Sequence, residues 1–139
     1  MNPTEYQKLA ARTECDQRRA AERMADIPHL PPLASSEMIR FNHAVIGLVG
    51  EVGELASLVE KMVYYGRTVT EVAIKEEIGD CFWYLALLCN ALGYDMGQMM
   101  EANVAKLQAR YPEKFDAVRE ENRDREAEAA AVESVKGVE

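Results

Sequence analysis

Two apolar stripes at helical spacing, joined by a short connection, constrain this chain more than any other feature. Val45, Leu48, Val52, Leu55, Val59 and Met62 recur at threes and fours, and so do Ile74, Ile78, Cys81, Leu85, Leu88 and Leu92. That period belongs to an amphipathic helix with one face to bury. Ser35 or Ser36 can cap the first of these helices and Thr70 the second; Tyr64-Tyr65-Gly66-Arg67 separates them, and Gly93 is suited to close the second. Strand alternation is absent. The fold class expected is all-α, a helical bundle in which the short connection sets the striped helices antiparallel. Two such helices are too few for a four-helix core, so a homo-oligomer, dimer or tetramer, is expected to complete it.

The flanking segments are more polar. A first helix is predicted from about Thr4 to Met24, with Thr4 as its N-cap and Ile27-Pro28-His29-Leu30-Pro31-Pro32 as the linker that ends it. Asp95 opens a further helix running to about Arg110, before Pro112. Residues 1–115 are read as one domain and 116–139 as a charged, Ala- and Glu-rich tail. The tail has helix propensity but little to bury, so its composition favours a frayed helix and a disordered end over a partner-binding arm.

Composition narrows the function. A net charge of −8 over 139 residues argues against a protein that wraps nucleic acid, which needs a basic surface. The start, MNPTEYQKLA, lacks a basic stretch followed by an apolar one, and the longest apolar run, Cys81 to Cys89, is too short to cross a bilayer; the cytoplasm is the expected location, with no membrane partner. Cys15, Cys81 and Cys89 show no C-x-x-C spacing and are read as buried free thiols.

The chemistry resides in two near-identical cassettes, Glu51-Val52-Gly53-Glu54 and Glu77-Ile78-Gly79-Asp80, one on each striped helix. At about 100° per residue, acids three apart share one face, beside the apolar stripe in both cases. Antiparallel pairing would bring four carboxylates to one rim of the core. Their mutual repulsion calls for a cation, and all-oxygen ligation points to Mg²⁺, or Mn²⁺ as a substitute, rather than zinc or iron. The histidines, His29 and His43, do not form the Glu-x-x-His pairs of di-iron bundles. A single E-x-x-E is usually a solvated face; the duplication sets this pair apart. Gly47, Gly50, Gly53 and Gly79 weaken helix interiors, each by roughly 1 kcal/mol, and want either a close neighbouring helix or room for a ligand as their reason. Asn103, Lys106 and Arg110 present donors for phosphate oxygens along one side of the next helix. Tyr84, a turn beyond Asp80, can stack a base or simply cover the helix junction, while Trp83 is expected to point elsewhere and pack on a partner helix.

In order, His43-Ala44, Leu48-Val49-Gly50-Glu51-Val52-Gly53-Glu54-Leu55, Glu77-Ile78-Gly79-Asp80, Asn103-Val104-Ala105-Lys106-Leu107 and Arg110-Tyr111-Pro112 resemble the MazG-like all-α nucleoside triphosphate pyrophosphohydrolases, over roughly Tyr6 to Phe115. The resemblance implies hydrolysis of a (deoxy)nucleoside triphosphate to the monophosphate and pyrophosphate, in nucleotide-pool control or house-cleaning. By position, Glu51, Glu54, Glu77 and Asp80 look like the family's metal-binding acids. Glu54 and Glu51 are the catalytic candidates, with Glu54 assigned to orient the attacking water. Asn103, Lys106 and Arg110 look like its phosphate contacts, and Tyr84 matches a tyrosine that packs on the base. Many members have Glu where this chain has Gly50. Lys61 stands where relatives that prefer deoxycytidine triphosphate carry an aromatic, so no base preference is carried over. The competing readings are a dimeric dUTPase-like or phosphoribosyl-ATP pyrophosphohydrolase relative, and a non-catalytic helical interaction protein whose acids are merely solvated.

Overall fold

The computed structural model describes residues 2–13, 15–27, 31–32 and 35–135. Among them it is all-helical, with α1 Pro3–Ala11, α2 Gln17–Ala25, α3 Ser36–Val63, α4 Glu71–Leu92, α5 Met96–Arg110, α6 Ala117–Glu121 and α7 Arg125–Glu133. None of these helices is long and apolar enough to cross a membrane.

Local capping chemistry sets most boundaries. The Ser35 hydroxyl accepts from the Met38 amide at 3.1 Å, Thr70 from Ala73 at 3.2 Å and the Asp95 carboxylate from Gln98 at 2.9 Å. Each satisfies an amide that has no partner within its own helix. Gly93 closes α4 at φ 71°, in the left-handed region that a side chain would strain.

The expected single helix from Thr4 to Met24 is instead two. Asn2, not Thr4, caps α1 by accepting from Glu5 at 2.8 Å, with Pro3 at the first helical position, where its missing N–H is no loss. Thr13 turns its hydroxyl back onto the Ala10 carbonyl at 2.9 Å, and Asp16 starts α2 by accepting from Arg19 at 3.0 Å. A cap in mid-segment competes with helix continuation, and here it wins. In the linker, Pro28-His29-Leu30 lies outside the described residues.

The main packing unit is the α3–α4 hairpin; α5 packs on α7, and other helix pairs touch only slightly. The hairpin is antiparallel: Gly47 meets Tyr84, while Glu51, further along α3, meets Glu77 and Asp80, earlier in α4. Its buried residues are few, Met38, Ala44, Leu58 and Ala91. Leu48, Leu55, Ile74, Cys81, Leu88 and Leu92 are half-buried, but Val45, Val52, Val59, Met62, Ile78 and Leu85 remain exposed. Two helices cover only a narrow seam, and these stripes are wider than the seam. Of the three free cysteines, Cys81 and Cys89 are half-buried, whereas Cys15 is exposed, contrary to the expectation of a buried thiol.

Beyond Phe115, Asp116 caps α6 and Asp124 caps α7. With little apolar surface to offer, α7 joins α5 through charge. Glu128, 5% exposed, is held by Arg110 of α5 and by Arg123.

Candidate metal centre

Three of the four cassette acids converge. Glu51 from α3 and Glu77 and Asp80 from α4 can each place a carboxylate oxygen within 4.8 Å of the other two. Glu51 and Glu77 are half-buried and Asp80 is exposed. Glu54, exposed one turn further along α3, stands outside this three-way group. It is nevertheless close enough to act on Glu77. Burial first, then the charges of Glu54, Glu51, Asp80 and Glu76, push the Glu77 carboxyl above the usual range. No Lys, Arg or His among the described residues forms an ion pair with any of the four. Hard oxygen donors, mutual repulsion and the lack of an ion pair to these acids among the described residues together fit a divalent metal cation.

Beside the acids, the Tyr84 ring lies against α3 at Gly47. A Cβ there would be 2.1 Å from Cε1 and 2.3 Å from Cζ of the ring, so only glycine admits this approach. Close helix contact is thus the reason for Gly47. Nothing lies within 4 Å of the corresponding point at Gly50, Gly53 or Gly79, which face open space. Trp83 meets the partner helix, as expected, through His43 of α3 at 6.2 Å, but it also stands edge-on to Tyr84 at 4.9 Å rather than apart from it, and His43 completes the cluster at 5.6 Å from Tyr84. Trp83 stays 55% exposed.

The donors on α5 are not gathered onto the acids within one chain, because α5 packs on α7 and at most slightly on the hairpin. Asn103 is exposed and Lys106 half-buried. Arg110 bonds Glu128 and approaches Glu120 at 3.4 Å, and its guanidinium lies 5.6 Å from the Tyr111 ring. These carboxylates raise the Arg110 pKa further. Tyr111 donates its hydroxyl to Glu120, which raises the phenol's pKa and lowers that of the carboxylate.

A family model for the MazG nucleotide pyrophosphohydrolase domain matches residues 41–115, more than half of the 139-residue chain. The chain belongs to the MazG nucleotide pyrophosphohydrolase family. The MazG match takes in both acid cassettes, Tyr84 and the α5 donors, and leaves α1, α2, α6 and α7 outside it, starting close to the first motif at His43 and well after the expected span's start at Tyr6. A curated relative, the Gene 37 protein of Mycobacterium phage L5, is 36% identical over 76 residues, covering 50% of this chain and 64% of its own length. The chain therefore spans less than two thirds of that relative. No solved structure matches the chain.

Sequence reasoning missed the arrangement around Arg110. Asp116 and Asp124 are legible as caps, but nothing periodic links Arg110 to Glu128, eighteen residues on. The His43–Trp83–Tyr84 cluster also escaped notice, since its members come from two helices and meet only through their register.

Proposed function

We propose that this chain hydrolyses a nucleoside triphosphate to the monophosphate and pyrophosphate, using Mg²⁺ or, as a substitute, Mn²⁺. The observation that carries the reading is the convergence of Glu51, Glu77 and Asp80, none of them ion-paired among the described residues, in a chain of this family. These three would hold the metal. When bound, Mg²⁺ would withdraw negative charge from the triphosphate and favour attack at phosphorus.

Glu54, next to Glu77 but outside the three-way group, suits a different task from ligation. It would orient a water and accept its proton as the water oxygen attacks the α-phosphorus. The bond from the α-phosphorus to the bridging oxygen breaks, and pyrophosphate leaves with the electron pair. Lys106 and Arg110 would neutralise the phosphate oxygens, and Asn103 would donate a hydrogen bond to them. Tyr84, seated on Gly47 and flanked by His43 and Trp83, offers an aromatic face for the base.

A single chain leaves the α5 donors apart from the hairpin. The exposed apolar face at Val45, Val49, Val52, Ile78, Phe82 and Leu85 suits a second copy that would complete the core and the site, as a dimer or tetramer. The reaction is placed in the cytoplasm, in control or cleansing of the nucleotide pool, with no role for nucleic acid or membrane. Incubating the full chain with Mg²⁺ and a panel of ribo- and deoxynucleoside triphosphates tests the reading. Pyrophosphate and not orthophosphate should appear with at least one substrate; background turnover across the panel would overturn it.

A further inference from the structure

Glu128 is an internal anion held in a cationic cradle. Its Oε1 accepts from Arg110 Nε at 3.0 Å and Arg123 Nε at 3.1 Å, and its Oε2 from Arg110 Nη2 at 2.6 Å and Arg123 Nη2 at 2.7 Å. The same side-on fork that grips a carboxylate grips a phosphate. The remaining terminal nitrogen of Arg110, Nη1, faces Glu120 at 3.4 Å, so all three nitrogens of this guanidinium are engaged. The Arg110 side chain is 13% exposed and that of Glu128 6%. Little else fastens α7. It has nine residues, too few to be a stable helix alone, and apart from Glu128 only Ala131 and the following Val135 are withdrawn from solvent even in part. The ion pair that ties α7 to α5 is Arg110–Glu128, and Arg123, five residues before Glu128, holds the same carboxylate from within the tail.

We infer that α7 is an autoinhibitory strap: Glu128 occupies the Arg110 fork, and a polyphosphate anion must displace it to bind. The inference rests on the reading of Arg110 as a phosphate ligand. While the strap is docked, α5 packs on α7 and at most slightly on the acid-bearing hairpin, and the charge of Arg110 is already neutralised. A triphosphate carries more negative charge than one carboxylate and competes for the same donors. Its binding therefore frees α7, and the docked strap lowers the apparent affinity in proportion to its population. Arg123 holds Glu128 in place without being a ligand for the substrate.

Inorganic tripolyphosphate, titrated calorimetrically into the full chain at constant excess Mg²⁺, tests the strap. If the strap is docked in about nine molecules of ten, E128Q lowers the dissociation constant about tenfold, and R123Q shifts it less in the same direction. Hydrogen exchange across residues 125–133 of the unmutated chain should rise when tripolyphosphate binds. Unchanged or weaker binding by both variants would overturn the strap, and weaker binding would mean that Glu128 instead holds Arg110 in place for the phosphate. Failure of every protein to bind, or unchanged exchange in α7 on binding, would overturn it as well. Circular dichroism checks folding; should E128Q fail to fold, R123Q and the exchange measurement decide. The strap and the hydrolytic reading fail separately. A chain that releases no pyrophosphate but binds tripolyphosphate more tightly as E128Q keeps the strap and loses the hydrolysis; one that hydrolyses but binds equally in all three proteins does the reverse.

Discussion

Replacing Gly47 by Ala sets two effects of opposite sign against each other. In an exposed helix interior the change would stabilise α3 by about 1 kcal/mol, the difference in helix propensity. At Gly47, however, the new methyl carbon would lie 2.1 Å from Tyr84 Cε1, 2.3 Å from Cζ and 2.6 Å from Cδ1. Carbon atoms rest at about 3.5–4.0 Å, so the ring must withdraw by roughly 1.5 Å. The ring is flanked by Trp83 of its own helix at 4.9 Å and by His43 of α3 at 5.6 Å, so it cannot withdraw without disturbing this cluster. Overpacking of this kind costs about 1–3 kcal/mol, which leaves a net loss of about 1 kcal/mol, or a fall in melting temperature of about 4 °C for a domain of this size. In a Tyr84→Ala background the obstruction is gone, and the same Gly47→Ala change should stabilise by about 1 kcal/mol. Thermal unfolding of the four proteins of this double-mutant cycle measures the change of sign. A melting temperature raised equally by Gly47→Ala in both backgrounds would refute the close seating of Tyr84 on α3, and with it the positioning of the aromatic face.

Other expectations follow from the charges. Relief of repulsion should make Asp80→Asn and Glu77→Gln more heat-stable than the unmutated chain without metal, while Mg²⁺ at about 100 times its dissociation constant should stabilise the unmutated chain by about 2.7 kcal/mol and each variant much less. Equal responses to Mg²⁺ in all three would point to solvated acids. The pH dependence carries two signatures of opposite sign. Glu77, raised above 4.5 by burial and its acidic neighbours, binds protons more tightly in the folded chain than in the unfolded one, so the metal-free protein should lose stability as pH rises from about 4.5 through the raised value. Glu128, lowered from 4.5 to about 2 by Arg123 and Arg110, stabilises the fold above 4.5, and that contribution should drain away as pH falls towards 2. Urea unfolding across acid pH should show the second decline in the unmutated chain and a flatter limb in Glu128→Gln; identical limbs would count against the arginine pairs.

The helix starts at Ser35, Thr70 and Asp95 and the stop at Gly93 were legible because a cap is a local bond between neighbours in sequence. The same chemistry was overlooked at Asn2 and Asp16, where a uniformly polar segment concealed a second start. Periodicity marked Val45, Val52 and Val59 as apolar, but it carries no information about what covers them, and among the described residues they stay 39%, 54% and 52% exposed. The meeting of Glu51 with Glu77 and Asp80 could be anticipated from duplicated spacing and an antiparallel register. Whether Glu54 joins them depends on side-chain direction, which spacing does not encode. The Arg110–Glu128–Arg123 contact was the least legible feature, because a non-local ion pair leaves no periodic trace.

The site of bond cleavage tests the central claim most directly. A single turnover in water enriched in ¹⁸O, with Mg²⁺ and the best substrate from the nucleotide panel, can be followed by mass spectrometry of both products. Attack on the α-phosphorus by a water oriented at Glu54 should place one heavy oxygen in the nucleoside monophosphate and none in the pyrophosphate. Heavy oxygen in the pyrophosphate, or release of labelled orthophosphate with a nucleoside diphosphate, would contradict it.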